Sequence, residues 1–167
     1  ASSDCGCPTD GNLARRIDAL SRPNSWPYAT TFNLPVPFPK TAEESNRIKY
    51  FVESASTNAV AASVHGWAAI PGRNSQRGSI HLVLRSEKAV HLFTTVTIPR
   101  VDVPAVMKQA GWLNAGFHFA RRLARLPTGD YQIGLLIVDG GHSEFVMTEH
   151  RLTLAGADSQ GLIATSQ

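Results

Sequence analysis

The chain predicts an all-β fold: an antiparallel β-sandwich of about seven strands, with one or two short helices and an extended N-terminal segment. Three observations carry this. From about Val60 to Leu154, apolar residues alternate in runs of strand length, and turn signals cut them roughly every ten residues. No strand–helix–strand alternation interrupts the runs, which argues against a parallel α/β sheet. Charged residues make up only 17% of the chain, below the usual quarter, and that suits a Ser/Thr-bearing β surface better than a helical one.

At 167 residues the chain fits one domain with an appendage. The expected division is an N-terminal arm and Pro-rich covering segment over 1–47, a sandwich over 48–155 and a flexible tail over 156–167. The longest apolar runs, such as Leu135–Val138, are far too short to span a bilayer. The first residue is Ala1 rather than Met, which fits either a removed export signal or a trimmed chain. Both cysteines, Cys5 and Cys7, lie at the start, so no disulfide staples the core.

Taken in order, residues 1–10 read as a disordered arm, and Leu13, Ile17 and Leu20 have the spacing of a short amphipathic helix, with a strand as the alternative. Residues 21–40 hold Pro23, Pro27, Pro35, Pro37 and Pro39 among Trp26, Tyr28, Phe32, Leu34, Val36 and Phe38. Proline removes donors and fixes φ, so this piece is extended, and its apolar content predicts that it covers a sheet edge or one end of the core. An exposed Pro-aromatic recognition segment is the alternative. Thr41-Ala42-Glu43-Glu44 has the form of a capping box and predicts one helical turn.

Ile48–Ala55 and Ala59–Ile70 read as the first two core strands. A bulge at Gly66 would let both Val64 and Trp67 point inward. The clearest hairpin joins Ser79–Arg85 to Ala89–Ile98. Keeping Ile80, Leu82 and Leu84 inward with Val90, Leu92, Val96 and Ile98 sets Leu84 opposite Val90, and leaves His81, Val83, His91 and Phe93 on the outer face. Val103–Ala110 predicts a short helix, Phe117–Leu123 a strand, Leu126–Gly129 a turn, Tyr131–Val138 a strong strand and Glu144–Leu154 the last strand after an Asp139-Gly140-Gly141 loop.

The net charge of +3 hides an asymmetry. Residues 54–129 hold nine bases against Glu87 and Asp102, whereas residues 130–167 hold five acids against Arg151. One reading pairs these charges across the sheet; the other makes a basic face for an anionic partner. Aromatic residues do not interleave with the bases as single-stranded nucleic acid would require, so no nucleic-acid partner is expected.

Candidate chemistry is sparse. In the register above, His81 and His91 are diagonal neighbours, their Cβ atoms about 7–8 Å apart, but no spacing supplies a third ligand and no metal site is assigned. Cys5-Gly6-Cys7 is a soft-metal ligand pair, a site of intermolecular oxidation or an inert tail. No nucleophile elbow, zinc-protease helix, phosphate loop or dinucleotide fingerprint occurs. Arg121, Arg122 and Arg125 form the densest basic cluster, with Arg121 and Arg122 on opposite faces of one strand. Binding candidates are therefore His81, His91, Phe93, Arg121, Arg122 and Arg125.

The stretch Leu126-Pro127-Thr128-Gly129-Asp130-Tyr131-Gln132-Ile133 resembles the approach to a late strand in immunoglobulin-like sandwiches. The resemblance implies that the Tyr131 hydroxyl ties the corner to nearby backbone, that Ile133 takes a core position and that Trp67 is the buried aromatic. With Gly66-Trp67 and Gly116-Phe117, the layout is similar to immunoglobulin-like accessory domains of bacterial envelope proteins. That implies a binding or structural module without catalytic residues or a cofactor. The expected function is that of a periplasmic or secreted protein serving binding, adhesion or envelope assembly. Its partner would be a protein or an anionic envelope component, with oligomeric state left open. A small-ligand or metal carrier using surface histidines and a small hydrolase with a dispersed triad are the alternatives.

Overall fold

Alternating apolar residues give two faced sheets in the computed structural model, which describes residues 38–58, 61–123 and 125–155. Among the described residues nine strands form: β1 (Glu43–Glu44), β2 (Lys49–Thr57), β3 (Ala61–Ala69), β4 (Ser79–Arg85), β5 (Val90–Thr94), β6 (Val96–Ile98), β7 (Gly116–Arg122), β8 (Gly129–Asp139) and β9 (His142–Leu154). Between β6 and β7 lie a helix, α1 (Asp102–Met107), and a 3-10 turn (Ala110–Trp112). One sheet has the order β1-β9-β8-β4-β5 and the other β2-β3-β7-β6. Every pairing is antiparallel except β1 with β9.

The core lies between the sheets. Val64 and Phe119 from the four-stranded sheet meet Leu82, Leu84, Ile133 and Leu135 from the five-stranded one, all at 1% exposure or less. Phe93 stacks obliquely on Phe119 with centroids 5.5 Å apart. Each such apolar side chain contributes about 1.5–3 kcal/mol on burial, and together they hold the two layers against chain entropy.

A satellite cluster on the outer face of the four-stranded sheet packs Ala69, Val103, Trp112 and Ala115. Pro104 sits in the first turn of α1, where its missing N–H costs nothing, and Lys108 at φ 53° ends the helix before Ala110. The expected helix over 103–110 is thus shorter and is followed by the separate 3-10 turn. Trp112 Nε1 donates to the Arg73 carbonyl at 3.2 Å, and Ser75 bonds Gly111, which fastens this segment to the β3–β4 loop.

Four expectations are corrected. Thr41–Glu44 is not a helical turn: Glu43 and Glu44 pair with Glu144 and Phe145, because edge pairing satisfies backbone groups that a single isolated turn leaves open. The bulge lies in β2, between Val52 and Ser54, and Gly66 is the residue facing it. A Cβ on Gly66 would lie 2.1 Å from the Phe51 carbonyl oxygen, so the close approach itself demands glycine. Trp67 therefore points outward, half-buried against Trp112 at 6.3 Å, and the buried indole is Trp112.

The fourth correction concerns the β4–β5 hairpin, which pairs Leu84 with His91 and Arg85 with Val90, one residue from the expected register. Ser86 closes the turn: its N–H bonds the Ala89 carbonyl, and its Oγ accepts from the N–H groups of Lys88 and Ala89. A slip of one residue inverts a strand. Phe93 and His91 turn toward the core side, while Leu92 joins Val83 and Leu136 on the outer face beneath Phe38, Ala42 and Phe145. The expected Pro-rich cover lies outside the described residues up to position 37, as do the arm and the tail; Phe38 at its end packs edge-on against Phe145 at 5.3 Å.

Candidate functional site

One end of the two sheets collects basic side chains from separate strands. Register places Arg85, Gln132 and Arg151 in one row across β4, β8 and β9. At a strand spacing of about 4.8 Å the two arginines stand roughly 10 Å apart on either side of Gln132. Lys88 comes from the β4–β5 turn. Arg121 and Arg122 end β7 beside Ala62 and Ala61, and Arg125 sits exposed in the following loop. Thr57, at the end of β2, donates to the Thr153 carbonyl of β9 and closes the ring of chain ends. Six bases face two acids here, Glu87 and Asp130, and Asp130 is occupied by the Thr153 hydroxyl at 2.6 Å.

A cleft of about 590 Å³ opens at this end, lined by Arg85, Lys88, His91, Tyr131, Gln132 and Arg151 with the 127–130 backbone. A shallower one of about 440 Å³ lies against Arg121 and Arg122. By contrast, the enclosed space beside Ile70 and Asn74 is about 20 Å³, room for a single water.

Arg85 and Gln132 in this row are held by hydrogen bonds. Arg85 Nη2 donates to Gln132 Oε1 at 2.8 Å, and Gln132 Nε2 donates to the Thr148 carbonyl at 2.8 Å. Thr148 belongs to a bulge in β9: one residue of β8 between Gln132 and Gly134 faces three of β9. Tyr131 is buried with its hydroxyl on the Pro127 carbonyl at 2.8 Å, which pins the loop that forms one wall. Burial raises its pKa. His91 stands 6.1 Å from the Tyr131 ring with a buried Nε2 that has no hydrogen-bond partner among the described residues, and burial lowers its pKa, which favours the neutral imidazole.

The candidates separate accordingly. His81 and His91 lie on opposite faces of the sheet, contrary to the diagonal pairing expected, because of the one-residue slip. His81 Nε2 is 3.0 Å from Ser79 Oγ, and burial lowers its pKa. Phe93, at 1% exposure, is a core residue and offers no binding surface. Arg121, Arg122 and Arg125 reach the basic end, with Arg121 half-buried and Arg122 exposed, and Ile133 is fully buried in the core. Sequence reasoning missed Arg85, Lys88 and Arg151 as their companions. Only strand order brings them together, although the excess of bases over 54–129 was the available signal.

Among the described residues, no three His, Cys, Asp or Glu side chains stand in metal-ligand geometry, and no helix is long and apolar enough to cross a membrane. No family model matches the chain, and no curated protein or solved structure matches it at a significant level. The fold and site define a mainly β protein of two facing sheets with a basic end.

Proposed function

We propose that this chain is an immunoglobulin-like binding module of the bacterial envelope whose basic end docks phosphate-bearing envelope lipid. The observation that carries the proposal is the convergence of Arg85, Lys88 and Arg151 on one cleft. Support for the immunoglobulin-like reading comes from the strand order. Taking β2 to β9 as A, B, C, C′, D, E, F and G, the sheets follow the A-B-E-D and C′-C-F-G orders of such sandwiches. The Tyr131 hydroxyl on Pro127 has the form of their tyrosine corner.

Sedimentation with phosphatidylglycerol vesicles tests the binding. Each base near an anionic surface contributes about 1 kcal/mol, so the Arg85→Glu/Arg151→Glu pair weakens binding roughly thirtyfold or more. Raising salt to about 1 M, where the Debye length is ~3 Å, abolishes it. Equal binding to zwitterionic vesicles, or an unaffected double variant, overturns the proposal. Fractionation of cells making the native protein tests its envelope placement.

A further inference from the structure

We propose that His65, His118 and Glu53, on the outer face of the four-stranded sheet, bind a divalent transition-metal ion of the zinc type. The sheet creates this group from three strands. His65 and His118 are direct cross-strand partners on β3 and β7, both half-buried, with ring centroids 6.2 Å apart. The β2 bulge brings Glu53 beside them, its Oε2 3.6 Å from His65 Nε2. They line one cleft of about 410 Å³ together with Ile98 and Arg100.

The Glu53–His65 separation suits a shared ion better than a direct hydrogen bond. A hydrogen bond between carboxylate and imidazole closes to about 2.7–3.2 Å, so 3.6 Å is too long for one. Two ligands of a tetrahedral ion, each about 2.1 Å from it, stand about 3.4 Å apart, close to the observed separation. Two imidazoles on one such ion place their centroids about 5 Å apart, so the His118 ring closes by about 1 Å on binding. That movement is needed because the three groups are not already in ligand geometry.

Charge and support favour a cation. Arg100 Nη2 holds the other carboxylate oxygen of Glu53 at 2.7 Å, which leaves Oε2 turned toward His65. Asp102 takes two bonds from the same guanidinium, so its charge is offset. Glu53 and Asp102 against the single guanidinium of Arg100 leave one net negative charge among these three side chains. Imidazole nitrogens with one carboxylate suit zinc, copper or nickel and leave a coordination position open.

Calorimetric titration of the full chain with zinc chloride, in a Cys5→Ser/Cys7→Ser background that removes the terminal thiols, tests the site. One equivalent binds, and the imidazole nitrogen resonances of His65 and His118 shift. His65→Ala or His118→Ala weakens binding at least tenfold, on the order of what ligand and outer-shell losses cost. Glu53→Gln weakens it several-fold, while His150→Ala, on the other sheet, leaves it unchanged. Absence of binding, or affinity retained in His65→Ala and His118→Ala, overturns the proposal. The test is independent of the basic end, since none of these residues lines that cleft.

Discussion

Thr148→Val isolates the device that holds the basic row in place. Thr148 is 1% exposed, and its hydroxyl donates to the Ile133 carbonyl at 2.8 Å while accepting the His150 N–H at 3.2 Å. Valine keeps the shape and deletes both bonds. The Ile133 carbonyl, on a residue with no exposure, loses this donor, which costs about 1–3 kcal/mol, while the half-buried His150 amide is partly rehydrated. The expected loss is about 2 kcal/mol, or a melting temperature lower by about 8 °C for a domain of this size. Urea unfolding followed by tryptophan fluorescence measures it. Thr148→Ser, which keeps the hydroxyl and removes one methyl, loses about 0.8 kcal/mol. The bulge also aims the Thr148 carbonyl that holds Gln132 and through it Arg85, so vesicle binding weakens in Thr148→Val as well. If Thr148→Val is as stable as the parent, or more stable than Thr148→Ser, the hydroxyl does not secure the bulge.

Gly66→Ala drives a Cβ against the Phe51 carbonyl oxygen, a backbone atom that cannot yield, and destabilises by about 3 kcal/mol or more; Gly72→Ala, with open space but φ at +80°, costs about 1–2 kcal/mol, both read from urea midpoints. Trp112→Ala costs about 3–5 kcal/mol by emptying the cluster over the four-stranded sheet, while Trp67→Ala, half-buried, costs clearly less in the same assay. Burial holds the folded pKa values of His81 and His91 below the ordinary 6.5, so the unfolded chain takes up protons first on acidification. The stability they contribute is complete above about pH 6.5 and falls as pH drops through that value toward their folded pKa values, and a His81→Gln/His91→Gln variant shows a flatter urea midpoint between pH 7.5 and 5. An identical slope in the variant removes these histidines as the cause.

Fold class was legible because strand length and turn chemistry are local. The Asp139-Gly140-Gly141 loop shows why: Gly140 and Gly141 at φ 55° and 88° are the positive-φ pair that a two-residue hairpin turn requires. Tyr131 and Ile133 are both buried, and the Tyr131 hydroxyl on the Pro127 carbonyl is a contact within one short local stretch. The β4–β5 register was not legible. Val83 and Leu136 are buried on the outer face just as Leu82 and Leu135 are on the inner one, so alternation carries no phase where both faces of a sheet are covered. The charge excess over 54–129 was visible, yet its assembly with Arg151 needed the β4-β8-β9 order. Likewise the His65–His118 pairing depends on β3 lying beside β7, and no spacing in the chain encodes that.

The slip also decides where a partner can reach the protein. With Leu92 outward, the outer face of the five-stranded sheet becomes an apolar layer under Phe38, Ala42 and Phe145, and Val83, Leu92 and Leu136 are at most 2% exposed. Val83 and Phe93 are thus buried on opposite faces of that sheet, and His91 lines the basic cleft. The large apolar side chains that remain exposed include Phe51, Val96 and Ile98, all on the four-stranded sheet around Glu53, His65 and His118. The cleft formed by Arg85, Lys88 and Arg151 belongs to the five-stranded sheet and its turn, not to that face. Two accessible surfaces of opposite character therefore remain: a basic end suited to anions, and a sheet face whose local net charge suits a cation. An experiment on one leaves the other untouched, so charge reversal at Arg85 and Arg151 weakens vesicle binding roughly thirtyfold or more while zinc titration of His65 and His118 proceeds unchanged.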